Sequence, residues 1–200
     1  MKFVLASQNQ NKLRELREIL QKMDIEVVSE ADVGVDLEVE ETGTTFEENS
    51  ALKAHAVMQA TGLPAIADDS GLMVDALSGA PGVYSARYGG PELDDVGRYR
   101  LLLGAMSGQL DRKAKFVSTI CCSFPDGTDI TARGECPGTL AYAPQGENGF
   151  GYDPIFFLPS LKKTFAQLTG EEKNAISHRG NALRQFEEKL KAYLSNLSET

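Results

Sequence analysis

A four-residue apolar run from Phe3 lies near the start of the chain, and residues 2–6 read as a buried strand. The polar stretch Ser7-Gln8-Asn9-Gln10-Asn11-Lys12 follows directly. Leu13, Leu16, Ile19 and Leu20 then recur at helical spacing, so the opening unit is strand, polar loop, helix. Residues 25–28 suggest a second strand. Leu37 and Val39 alternate with Glu38 and Glu40, the period of a strand leading to a turn at Thr42-Gly43. Thr44-x-x-Glu47 and Thr45-x-x-Glu48 both match a capping box, which predicts a helix to Ala60, stopped by Thr61-Gly62 and Pro64.

Ala65-Ile66-Ala67 enters Asp68-Asp69-Ser70-Gly71, and residues 72–77 read as another apolar strand, which puts the two aspartates at a strand end. A Gly/Pro-rich loop over residues 79–90 interrupts regular structure, and helix returns between Leu93 and Met106. Residues 116–124 and 130–141 flank Pro125-Asp126-Gly127-Thr128, a hairpin signal. The glycine-rich loop 146–152 precedes a strand at Ile155-Phe156-Phe157. From Glu171 the chain is helical, bent near Gly180 and periodic to Leu197. Strands and helices alternate early and a hairpin comes later, so the class is α/β, a mixed sheet flanked by helices. At 200 residues one domain is expected, two lobes being compatible with it. Such a length buries about 70% of the unfolded surface, enough for a core without disulfide or structural metal.

Charge narrows the partners. Twenty-nine acidic against 20 basic residues give a net charge of −9, without the basic footprint that binds nucleic-acid polymers or anionic membranes. No run approaches the ~20 apolar residues of a membrane span, and the N-terminal run is too short for a signal-peptide core. Small molecules, metal ions and proteins remain. The three cysteines, Cys121, Cys122 and Cys136, include no C-x-x-C pair, which argues against a disulfide framework and a zinc site. Adjacent Cys121 and Cys122 in a strand face opposite ways, so the thiols read as reduced packing groups of a cytoplasmic protein.

Five constellations could carry chemistry. The loop Ser7–Lys12 sits where helix N-termini present N–H groups to anions, with a lysine as point charge; it is neither a Walker A loop nor G-x-G-x-x-G. Taken alone it fits a solvated helix cap as well as a phosphate site. Among the acids, Glu38, Glu40 and Glu41 suit an exposed turn, whereas adjacent Asp68 and Asp69 repel one another unless a cation or proton relieves them. Mg²⁺ suits that situation, because it takes one or two carboxylates plus substrate phosphates. Phe46, Asn49, Lys53 and Ala56 share a helix face, and the polar pair fits either a polar cleft or a snorkelling lysine. In Gly149-Phe150-Gly151-Tyr152-Asp153-Pro154 the glycines leave a ring face open for stacking on a base, although a tight turn would use the same glycines. Lys173 with Ser177-His178-Arg179-Gly180 can aim donors at a carbonyl or a phosphate, while His55 reads as structural or solvent-facing. There is no G-x-S-x-G elbow for nucleophilic catalysis.

S-x-N-x-x-K, E-E-T-G-x-T-F-x-E-N-x-x-x-K-A, A-D-D-S-G-L, G-A-P-G-x-Y-S-A-R-Y, G-F-G-Y-D-P-I-F and E-E-K-N-A-I-S-H-R-G occur in one order from Ser7 to Gly180. The sequence closely resembles the inosine/xanthosine triphosphate pyrophosphatases, which remove deaminated purine nucleotides. The resemblance implies an elongated mixed central sheet with two lobes around a substrate cleft, in a homodimer. It implies Mg²⁺-dependent hydrolysis of ITP, dITP and XTP to the monophosphate and pyrophosphate, cleansing the nucleotide pool. Carried over by position, Ser7, Gln8, Asn9, Gln10, Asn11 and Lys12 would line the triphosphate pocket, with Lys53 nearby. Glu40 and Asp69 would hold the metal, Glu41 and Asp68 would support them, and Asp69 would be the proton acceptor. Ser70 would contact substrate and Phe150 would stack on the base; Gly151, Tyr152, Asp153, Lys173, His178 and Arg179 would complete the nucleotide pocket. Gln8 stands where many members have glycine, which reshapes that turn.

Overall fold

The computed structural model describes residues 1–7, 14, 16–17, 20–21 and 25–198. Seven strands form one sheet in the order β2-β1-β3-β4-β5-β6-β7. They are β1 Lys2–Leu5, β2 Glu26–Ser29, β3 Ala65–Val74, β4 Lys113–Ser123, β5 Asp129–Leu140, β6 Phe156–Leu158 and β7 Lys163–Thr164. Among the described residues, four α-helices have both ends described: α1 Phe46–Thr61, α2 Asp95–Ala105, α3 Gly170–Ile176 and α4 His178–Ser198. β1 runs parallel to β2 and β3, while β5–β6 and β6–β7 are antiparallel, so the expected mixed α/β sheet is what forms.

The chain divides into two compact units: Met1–Asp69, Ser118–Gly134 and Ala182–Thr200 make the first, and Ser70–Val117 with Glu135–Asn181 the second. In the first unit, strand alternation sorts the core to two faces. Phe3, Leu5, Ile66, Ile120 and Cys122 pack with Leu183, Phe186 and Leu190 of α4. Val4, Ala6, Ala65, Ala67 and Cys121 pack with Ala54 and Val57 of α1. Cys121 and Cys122 thus face opposite ways, as expected, and all three thiols are free and buried. Each large apolar side chain so buried contributes about 1.5–3 kcal/mol. The second unit has its own core, where Phe116 meets Phe156 edge-on at 4.7 Å between Leu72, Leu102 and Ile155.

Five expectations need correction. Residues 35–40 do alternate half-buried and exposed, yet they form no strand: Leu37 and Val39 are partly covered without joining the sheet. Asp68 and Asp69 are not at a strand end, because β3 continues through them and Ser70-Gly71 to Val74. The strand instead stops there, and Asp75–Leu77 makes a 3-10 turn. The 79–90 loop contains a 3-10 helix, Gly82–Arg87. The C-terminal helical stretch breaks at Ser177, not near Gly180: Ser177 is extended, at φ −69° and ψ 159°, and its Oγ accepts from the Gly180 N–H at 3.1 Å. Ser177 therefore caps α4, and Gly180 lies inside the first turn. Of the predicted first helix, Leu16 and Leu20 are helical and buried, while Leu13 and Ile19 lie outside the described residues.

Candidate active site

Strand register explains why Lys53 reaches the aspartates. The carbonyls of Pro64 and Ile66 accept from the Val4 and Ala6 N–H groups at 2.9 and 2.8 Å. Asp68, two residues further, points its carbonyl to the same side, beyond the end of β1 at Leu5. The Lys53 Nζ donates to this carbonyl at 2.7 Å. The same ammonium donates to Glu41 Oε1 at 2.7 Å and stands 4.0 Å from Asp69 Oδ1. Burial opposes the charge on Lys53, but Asp68, Asp69 and Glu41 outweigh it and hold the ammonium above its ordinary lysine range. The lysine does not snorkel; it is tied into a carboxylate group.

Helix α1 aims Lys53 and Asn49, and its start is built as the capping pattern predicts. Thr45 Oγ1 accepts from the Glu48 N–H at 3.1 Å, and Glu48 Oε2 accepts from the Thr44 and Thr45 N–H groups at 2.6 and 3.2 Å. Those bonds, the Thr44 N–H first, hold the Glu48 carboxyl below its ordinary value. Just upstream, the Thr42 N–H donates to the Glu40 carbonyl at 3.0 Å, turning the chain between the two acids and the helix. Glu40 is exposed and Glu41 half-buried, whereas Asp68 and Asp69 are buried. Asn49 is wholly buried and donates from Nδ2 to Asp69 Oδ2 at 3.2 Å.

A second group forms around Phe150. Gly149 and Gly151 have φ of +76° and +61°, which favour glycine, and a Cβ on Gly149 would fall 2.0 Å from Asp153 Oδ2. That carboxylate oxygen accepts from the Phe150 N–H at 3.0 Å and from Lys173 Nζ at 2.7 Å. Burial pushes the Asp153 carboxyl above its ordinary value, against the pull of Lys173, the Phe150 N–H and Arg179. The Gly151 N–H is held at 2.7 Å by Asp95 Oδ2, from the first turn of α2. Because Ser177 caps α4, His178 and Arg179 occupy its first turn. The His178 ring stacks on Phe116 at 4.6 Å, and Arg179 Nη2 donates to Ser70 Oγ at 3.3 Å, its guanidinium 5.8 Å from the Phe150 ring centre.

The structure therefore joins Glu41, Lys53 and Asp69 with the Asp68 backbone, and joins Ser70, Phe150, Gly151, Asp153, Lys173 and Arg179 into a second set. Tyr152 belongs to the core beneath it: its hydroxyl donates to the Ser85 carbonyl at 2.7 Å, and burial raises its pKa. Ser7 is half-buried at the end of β1, while Gln8, Asn9, Gln10, Asn11 and Lys12 lie outside the described residues. His55 is half-exposed and pairs with Asp129 at 2.8 Å, apart from either group. Sequence reasoning passes over Asp95 and Phe116, whose partners Gly151 and His178 are distant in the chain and leave no local signal.

Fold and side chains define the class: an open-sheet α/β protein with a lysine-bridged carboxylate group and a cation-ringed aromatic loop. The chain belongs to the Ham1 family, whose model matches residues 3–189. A dITP/XTP pyrophosphatase of an Exiguobacterium strain is 50% identical over 190 residues, covering 95% of this chain and 97% of that one. One from Yersinia pestis is 50% identical over 187 residues, covering 92% and 94%. Among solved structures, the Ham1 protein of Staphylococcus aureus matches with a TM-score of 0.88 at 44% identity, covering 98% of this chain and 99% of that one. A HAM1 protein from Coxiella burnetii matches at 0.91 and 43%, covering 96% and 99%. The chain thus stands among pyrophosphatase enzymes.

Proposed function

We propose that this protein hydrolyses deaminated purine nucleoside triphosphates, ITP, dITP and XTP, to the monophosphate and pyrophosphate, and so cleanses the nucleotide pool. The observation that carries the reading is Lys53, whose single ammonium binds Glu41 and the Asp68 carbonyl and faces Asp69. Relatives named dITP/XTP pyrophosphatase across nearly the whole chain support the substrate class.

Mg²⁺ is the cofactor of this proposal. Among the described residues no three or more His, Cys, Asp or Glu form a ready cage for a metal. Mg²⁺ needs none, since it binds through one or two carboxylates plus phosphate oxygens and water. Three carboxylates, Glu41, Asp68 and the buried Asp69, answered by one Lys53 ammonium, fit that donor demand. Glu40 and Asp69 would hold the ion, with Glu41 and Asp68 in support, and it would supply charge neutralisation on the phosphates. Asp69 accepts the proton of a water whose oxygen attacks the α-phosphorus. The α–β anhydride bond breaks and pyrophosphate leaves, its charge met by Lys53 and by Lys12 of the Ser7–Lys12 loop.

Phe150 stacks on the base, and Lys173, His178 and Arg179 present donors to it. Donors around a buried 6-oxo group reject a 6-amino group, because donors then face donors. The net charge of −9 is compatible with a triphosphate that arrives already neutralised in part. A homodimer, which rests on the family resemblance, and a cytoplasmic location, which the reduced thiols suggest, belong to the same proposal. Pyrophosphate release measured across ITP, dITP, XTP, GTP, ATP and modified pyrimidine triphosphates tests it. ITP and XTP should exceed ATP at least ~100-fold in kcat/KM, as expected of a site that reads a hydrogen-bonding group. Equal rates on all would overturn the purine specificity.

A further inference from the structure

Asn49 has no part in the chemistry above, yet it is wholly buried on a helix that otherwise presents apolar and small residues to the core. Both ends of its amide are engaged. The Gly43 N–H, which can only donate, meets Oδ1 at 2.8 Å. That fixes the orientation of the amide, so the NH₂ end faces Asp69 Oδ2 at 3.2 Å. Gly43 is built for this approach, because a Cβ there would lie 2.6 Å from Asn49 Oδ1 and 2.7 Å from Glu48 Cβ. One side chain therefore ties the turn that carries Glu40 and Glu41 to the carboxylate of Asp69, 20 residues onward from Asn49.

We propose that Asn49 is a positioning residue for the hydrolysis: its amide holds the acidic turn and the Asp69 carboxylate in one fixed relation. The inference rests on the reading of Asp69 as proton acceptor. Positioning errors of about 1 Å cost on the order of 100-fold in rate, so the effect should fall on turnover more than on substrate binding.

The test is Asn49→Asp, which keeps an oxygen for the Gly43 N–H and loses the donor to Asp69. With Mg²⁺ and ITP, kcat should fall ~10- to 100-fold while KM stays within ~3-fold. Independently of turnover, the Asn49 side-chain amide resonance of the wild-type protein should move when Asp69→Asn is introduced. A kcat within about twofold of wild type for Asn49→Asp, or an unmoved amide resonance, overturns the inference. If Asn49→Asp does not fold, Gly43→Ala, whose methyl meets the same amide oxygen, carries the same two kinetic outcomes. Asp69→Asn assayed alongside separates the two ideas. An inactive Asp69→Asn beside a fully active Asn49→Asp removes only the positioning role. An active Asp69→Asn removes the catalytic reading and the positioning role together.

Discussion

Lys173 donates to Asp153 Oδ2 at 2.7 Å while its ammonium stands 4.8 Å from the centre of the Phe150 ring. The same carboxylate oxygen accepts the Phe150 N–H at 3.0 Å, so one atom fixes both the cation and the loop it faces. The pair is more than nine-tenths buried, with side chains 9% and 4% exposed. Removing one partner of such a pair costs about 3–5 kcal/mol, because the other is left charged and uncompensated.

The sign of the pH dependence follows from Asp153. Its folded pKa is raised, by burial first, so its contribution to stability is full below the ordinary carboxylate value and is lost as pH rises through the folded value. Lys173→Met removes the main pull holding that carboxyl down, which widens this window upward. The variant should therefore lose more melting temperature at about pH 8 than at about pH 5. Thermal melts at the two pH values check this; an equal loss at both would contradict it.

Phe150→Ala removes the stacking face and little of the core, since Phe150 is only half-buried. Stacking of a base on an aromatic ring is worth about 1–3 kcal/mol, so KM for ITP should rise ~5- to 150-fold, with Phe150→Trp close to wild type. Steady-state kinetics measure it, and an unchanged KM would place the base elsewhere.

Two adjacent aspartates at the start of α2 do different work. Asp94 caps the helix, accepting the Gly97 N–H at 2.7 Å, whereas Asp95 holds the Gly151 N–H at 2.7 Å. Asp94→Ala should cost ~1 kcal/mol of stability and leave KM unchanged. Asp95→Ala should leave stability within ~0.5 kcal/mol and raise KM several-fold, through a loosened Phe150 loop. Denaturant melts and kinetics on the same two variants separate the roles.

Burial pushes the Cys136 thiol up to about 11 and raises Cys121 and Cys122 as well. Thiolate is the reactive form, so none of the three should label with a disulfide reagent at about pH 8 in the native protein, and all should label once unfolded. Rapid native labelling of any one would contradict the packing described for it.

What the sequence discloses is what local rules govern. The Thr45–Glu48 capping box and the Pro125–Thr128 hairpin turn depend on residues a few positions apart, and both form as patterned. The course of β3 through Asp68 and Asp69 is hidden, because two adjacent acids look like a strand end. They are accommodated by Lys53, 15 residues from Asp68, whose Nζ donates to the Asp68 carbonyl. Asp95 and Gly151 are 56 residues apart, and neither residue alone suggests the other. Asn49 is the intermediate case: a polar residue on an otherwise apolar stripe is visible in the pattern, but its two partners emerge only in three dimensions.

In the proposed reaction water attacks the α-phosphorus of a deaminated purine triphosphate and expels pyrophosphate. Turnover of ITP with Mg²⁺ in isotopically labelled water, followed by phosphorus NMR, tests it most directly. The expected products are IMP and pyrophosphate, with the labelled oxygen in IMP, and negligible reaction of ATP under the same conditions. Release of IDP with orthophosphate, label in the pyrophosphate, or equal turnover of ATP would contradict it.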